Sequence, residues 1–323
     1  MTVQQIFDLA IKMGIKADPR GGNGIEEYLE NIKKEYEGSR PEEKKYFDKE
    51  KLTNPYADSR IHTGKGDSKV SRVMAGIDIE GTELLLASQL EERGKKIDLV
   101  MGHHPIGKGL ADLHAVMDMQ VEIFEKAGVP IHVAEKLMED RISEVGRGVH
   151  PINHYRIIDL ADLLKVNLMN THTITDNLVH NFLKKHIEKK KPRLISDMIE
   201  TLLDIPEYQE AMRRGAGPKI FIGNKKHRVG KYVLEMTGGT STSDKLYKEL
   251  SRYGISTVVG MHMKDTARTK AGEHHMNVVV AGHMASDSLG MNLFLDELEK
   301  KGVEIVPCGG LIRVSRVSNK QGK

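Results

Sequence analysis

NVVVAGHMASDSLG, residues 277–290, decides the architecture. Val278 to Ala281 are apolar without alternation, which is the pattern of a strand buried on both faces in a sheet covered by helices. Gly282 interrupts the strand, and His283 and Asp287 then stand four residues apart where the next element begins. Four residues along a helix place two side chains on one face about 5–6 Å apart, a spacing that suits chelation of one metal or bridging of two.

The same strand-then-helix unit recurs on either side. Strands are predicted at 72–79, 97–101, 130–134, 166–170, 219–223, 231–236, 256–260, 277–281 and 304–307. Helices are predicted at 81–93, 112–127, 156–164, 176–189, 194–213, 242–253 and 285–301, which together make an α/β layered fold. VMGHHP (100–105) and VVAGHM (279–284) echo each other, and the echo suggests an internal duplication. Residues 1–60 read as a helical extension, charged, amphipathic and peripheral, and the polar stretch 54–69 reads as a loop. The expected organisation is that extension, a first α/β half over 61–190 and a second over 191–323, joined by a charged helical linker around 189–217.

Composition narrows the chemistry. Among the 323 residues, 49 basic and 46 acidic side chains leave a net charge of +3, too small to attract nucleic acid or an anionic membrane. The dense basic run KKHIEKKKPR (184–193) carries no interleaved aromatic residue and reads as a solvated helix end. A single cysteine, Cys308, excludes an intramolecular disulfide and any cysteine-rich metal site, so a metal here is held by His, Asp and Glu. No basic segment precedes a long apolar run at the N-terminus, and no run of about 18 apolar residues occurs; the expectation is a cytoplasmic protein without a membrane span.

Two further stretches carry the chemistry of 277–290. In DLVMGHHPIGKG (98–109), His103 and His104 follow an apolar strand, and Gly102 and Pro105 bend the chain so that adjacent imidazoles can converge. In THTITDN (171–177), His172 and Asp176 repeat the four-residue spacing after the strand VNLMN. A lone His/Asp pair of this kind also reads as a helix cap or first-turn charge. Three histidine-bearing strand ends in one α/β chain favour a shared metal site at the carboxyl edge, where such sheets keep their ligand crevices. Imidazole and carboxylate donors suit Zn, Fe, Mn, Co or Ni alike. His274 and His275 precede a strand and could line the mouth of such a site. The glycine-rich turn MTGGTSTSD (236–244) reads either as a phosphate-accepting loop or as an ordinary turn with Ser241 or Ser243 as helix cap.

DLVMGHHPI, NTHTITDN and VVVAGHMASDSLG, with YGISTVVGMHM (253–263), resemble the NGG-interacting-factor-three-like dinuclear metal-centre family, often labelled GTP cyclohydrolase 1 type 2 homologues. The resemblance runs from about residue 70 to 312. It implies a duplicated α/β sandwich with mixed sheets and assembly as a hexameric ring. It also implies that His103, His104, Asp176, His283 and Asp287 bind two divalent metal ions, with His172 nearby as a substrate-facing group or a further ligand. Asp287 stands where the family usually has the longer Glu, and Met261-His262 occupies the region of a Thr-Gly-Glu motif in many members.

The expected function is metal-dependent hydrolysis of a small, nucleotide-like substrate by an activated water. His172, His274 or His275 would be the proton-transfer group. The alternative is a non-enzymatic metal-binding scaffold or a partner-binding regulatory protein. Neither a nucleic acid nor a membrane is an expected partner.

Overall fold

Leu99–Gly102, Leu168–Thr171 and Asn277–Val280 are buried along their whole length in the computed structural model, which describes residues 1–317. They are three of the five inner strands of two sheets. The nine strands are β1 (Ser59–Thr63), β2 (Arg72–Gly76), β3 (Leu99–Gly102), β4 (Leu168–Thr171), β5 (Lys219–Ile222), β6 (Lys231–Glu235), β7 (Ile255–Gly260), β8 (Asn277–Val280) and β9 (Glu304–Pro307). The first sheet runs β1-β4-β3-β2-β9 and the second β5-β8-β7-β6. In each, an antiparallel edge strand (β1 or β5) leads into three parallel strands. The order 1-4-3-2 is repeated as 5-8-7-6, so the fold is a duplicated α/β sandwich with mixed sheets.

This topology corrects the pairing read from the sequence echo. VMGHHP closes β3, whose counterpart is β7 with its GMH ending; VVAGHM closes β8, whose counterpart is β4 with its NTH ending. β9, from the far end of the chain, crosses back to lie parallel to β2 in the first sheet.

The helices His172–Lys190 and His283–Glu299 follow β4 and β8, pack on each other and lie between the two sheets. Ile174, Leu178, Met291 and Phe294 join the core on the first sheet, while Val179, Leu183, Ala285 and Leu289 join that on the second. The helices cross closely because Gly290 has no side chain; a Cβ there would stand 2.3 Å from the Thr175 carbonyl oxygen.

Other expectations are revised in detail. Residues 130–134 are not a strand but the start of helix Ile131–Val149, whose buried Ala134, Met138, Val145 and Val149 keep a helical spacing. A short apolar run does not by itself separate a strand from a buried helix. The predicted 194–213 helix is two, Ile195–Leu203 and Pro206–Arg213, divided at the proline. Helix Val3–Ala17 is no peripheral element: Val3, Ile6, Phe7 and Ala10 are buried against the His172 helix. The stretch 54–69 contains β1, where the buried Arg60 is neutralised by Asp48 and Glu50. Among the described residues, no helix is long and apolar enough to cross a membrane.

Candidate metal centre

Three strand ends converge. β3 delivers His103 and His104, β4 delivers His172 and then Asp176 one turn into its helix, and β8 delivers His283 and Asp287 in the same way. The backbone of the double histidine is pinned beneath: the amides of His103 and His104 both donate to the Ile77 carbonyl, at 3.2 and 3.0 Å. Ring centroids lie 5.1 Å apart for His103 and His104, 5.0 Å for His103 and His172, and 5.3 Å for His104 and His283.

Three of the rings are held from behind. His104 Nδ1 donates to Asp78 Oδ1 at 2.6 Å, and His172 Nδ1 donates to Asp58 Oδ2 at 2.7 Å. His103 Nδ1 donates to Thr175 Oγ1 at 2.9 Å, because the Thr175 hydroxyl is committed to the Thr171 carbonyl. Such anchoring sets the tautomer and turns each Nε2 inward. His103 Nε2 lies 3.5 Å from Asp176 Oδ1 and 3.6 Å from Asp287 Oδ1. Asp287 Oδ2 lies 3.4 Å from the Nε2 atoms of both His104 and His283, and His172 Nε2 is 3.9 Å from Asp176 Oδ2.

These contacts are at or beyond the long limit of hydrogen bonds. His103 Nε2, Asp176 Oδ1 and both Asp287 oxygens are buried without any hydrogen-bond partner. Buried polar atoms are ordinarily paired, so a convergent set of orphaned acceptors, one imidazole nitrogen and three carboxylate oxygens, fits a cation. Two overlapping groups have ligand atoms mutually within 4.8 Å: His103, His172 and Asp176, and His103, His104 and Asp287.

The electrostatics point the same way. Burial pushes the Asp176 carboxyl well above the ordinary range, partly offset by His172. Burial, reinforced by neighbouring imidazoles, holds His103 far below its usual value, and burial also lowers His283. Burial pulls on His104 too, but Asp287 and Asp78 outweigh it and raise the ring to about 9. His172 is raised, against its burial, by Asp176 and Asp58. At both rings the neighbouring carboxylates favour positive charge.

Asp58, Asp78 and Thr175 were not singled out from the sequence. Asp58 precedes β1 in a stretch that reads as a loop, and Asp78 sits two residues beyond β2 with no partner at a telling spacing. His262, the counterpart of His104 after β7, stands 4.7 Å from the His283 ring, and burial lowers it to about 4. His274 and His275 are not brought to the cluster: they lie between helix Asp265–Glu273 and the amino end of β8, whereas His283 follows its carboxyl end. A cleft of about 680 Å³, solvent mouth included, opens beside the cluster and reaches Asp176, Asp287, His262, Glu235 and Gln120. The loop 236–244 forms part of its wall, and neither Ser241 nor Ser243 caps the helix Leu246–Arg252 that follows.

A NIF3 superfamily protein from Sphaerobacter thermophilus has the same fold, with a TM-score of 0.74 at 24% identity over 96% of this chain and 99% of that one. Weaker likenesses are to reduced HcgD from Methanocaldococcus jannaschii (TM-score 0.46, 15% identity, 76% and 87% of the two chains) and to a Bacillus cereus protein related to NIF3 (0.44, 11%, 100% and 99%). No family model and no curated protein matches the chain.

Proposed function

We infer that this chain is a NIF3-like protein in which His103, His104, Asp176, His283 and Asp287 bind two divalent metal ions, and that it hydrolyses a small substrate seated in the adjoining cleft. One observation carries the reading: three imidazoles are anchored through Nδ1 and turn Nε2 toward two buried carboxylates whose inward oxygens are unpartnered. Few structural roles account for leaving four such atoms unsatisfied together.

A divalent pair held there supplies Lewis acidity toward water and toward the negative charge that develops in hydrolysis. The rest belongs to the chain. Asp78, Thr175 and Asp58 fix the tautomers and orientations of His104, His103 and His172. Asp287, although one methylene shorter than the family's usual Glu, presents Oδ1 to His103 and Oδ2 to both His104 and His283, the disposition a bridging carboxylate needs. His172 has its Nδ1 tied to Asp58 and its Nε2 turned to Asp176, which places it beside the five ligands as a further ligand or a substrate-facing group.

Elemental analysis of protein purified without chelator or added metal, paired with multiple-turnover assays on nucleotides and phosphoesters, tests the reading. About two ions per chain and metal-dependent turnover that His104→Ala abolishes are expected. Substantially less than one ion per chain overturns the dinuclear site. Stoichiometric metal without turnover on any substrate overturns the hydrolase and leaves a metal-binding scaffold.

A further inference from the structure

The strand register aligns the two halves residue by residue, and at one position they differ in kind. β2 ends at Gly76, paired with Gly102; β6 ends at Glu235, paired with Gly260. In the first sheet no side chain fits: a Cβ on Gly76 would stand 2.9 Å from Ile79 Cδ1 and 3.2 Å from both the Cys308 oxygen and Gly309 Cα. Part of that crowding comes from Ile79, just after β2, and part from the turn that follows β9. Among the described residues the second sheet ends at β6, and Glu235 at its end lines the cleft.

Glu235 is poorly satisfied there. Its Oε2 accepts a hydrogen bond from the Tyr247 hydroxyl at 3.0 Å, while Oε1 is buried with no partner. The other charge acting on it is acidic, Asp244, and burial pushes its carboxyl up to about 7. Gln120 borders the same cleft and is 3% exposed. Its Nε2 donates to the carbonyls of Gly238 and Thr240, at 2.6 and 2.7 Å. Because both partners are acceptors, the amide orientation is determined, and Oε1 is left without a donor. Phe124, Leu234 and Met261 supply apolar lining. The cleft thus combines apolar walls with two orphaned acceptors, and Lys264 and the unpartnered Ser241 hydroxyl also line it.

We propose that this cleft binds a planar, nitrogen-rich group of the amidine or amino-heterocycle class, its N–H bonds donated to Oε1 of Glu235 and Oε1 of Gln120. A flat ring meets the apolar walls, and its N–H edge satisfies both oxygens, with a cationic edge offsetting the buried carboxylate. The substrate role of this group rests on the metal-dependent reading above; its binding does not.

Benzamidine and benzoate share a shape but differ in polarity, one bearing only N–H donors and a positive charge, the other only acceptors and a negative one. Calorimetric titration of the purified full chain is expected to show benzamidine binding and none of benzoate. Glu235→Gln removes the charge and keeps the shape, and Glu235→Leu removes the acceptor; both are expected to weaken benzamidine by about tenfold or more, as loss of a charge-assisted hydrogen bond does. Metal content, measured on the same samples, is expected to stay unchanged in both variants. Equal binding of the two probes, or unchanged benzamidine affinity in a folded Glu235→Gln protein, overturns the proposal. If the wild type holds metal but does not discriminate the probes, this proposal alone fails. If it discriminates them through Glu235 yet holds no metal, the metal reading alone fails.

Discussion

The two halves share a strand order and diverge at the strand ends. After β3 the first half carries Gly102-His103-His104, where the second carries Gly260-Met261-His262 after β7; after β2 the first has Gly76, where the second has Glu235. Only the helices after β4 and β8 keep the same equipment, His172 with Asp176 and His283 with Asp287. One half thus contributes most of the candidate metal donors, and the other most of the cleft wall. A repeated scaffold offers the same carboxyl edge twice, and what each edge does is decided by a handful of residues on it.

The most damaging way to break this division is at Asp287, which faces three imidazoles within 3.6 Å. Asp287→Ala is expected to empty the site of both ions by elemental analysis. The sharpest comparison is between register mates: His104→Ala is expected to lower metal content markedly, while His262→Ala leaves it at the wild-type level. If His262→Ala strips metal as thoroughly as His104→Ala, the proposed asymmetry is wrong. Asp58→Asn spares every ligand but weakens the hold on His172, and competition against a chelating dye should show metal affinity reduced by about 10–100-fold.

Next in size is a contrast in stability. Gly76→Ala forces a Cβ against Ile79 and the Cys308–Gly309 turn, and denaturant unfolding should report a loss of about 1–3 kcal/mol. Glu235→Ala, at the matching place in the more open sheet, is expected to stay within about 1 kcal/mol of wild type. Comparable losses at both positions would mean that β9 is not what separates the two edges.

Much of this contrast was legible in the residues, and the failures have physical causes. Buried parallel strands announce themselves as apolar runs, so β3, β7 and β8 were found nearly to the residue. The i, i+4 His/Asp pairs announce themselves because helical spacing is local. β1 escaped because an edge strand whose Arg60 is buried by distant acids looks polar in sequence. Asp58 and Asp78 escaped for a related reason: they meet His172 and His104 across 114 and 26 residues, and no local spacing encodes such a contact. The echo of VMGHHP with VVAGHM misled because similarity of letters was matched to the wrong strands; hydrogen-bonded order, visible only in three dimensions, pairs β3 with β7.

The smallest effect separates the two sheet edges by titration. Burial raises the Glu235 carboxyl to about 7, against the Tyr247 hydrogen bond, whereas an unfolded chain ionises Glu at about 4.3. The folded state therefore keeps a proton that the unfolded state has released, and stability falls as pH rises from about 4.3 to about 7, then levels. One proton limits the slope to about 1.4 kcal/mol per pH unit. With chelator present, so that the cluster titrates alike in both proteins, Glu235→Gln is expected to flatten this part of the stability profile relative to wild type. Gly76 has no titratable counterpart, so the slope belongs to the second half alone. Parallel profiles for wild type and Glu235→Gln would mean that the carboxyl is satisfied in solution, and that the open edge of β6 does not hold an unmet acceptor.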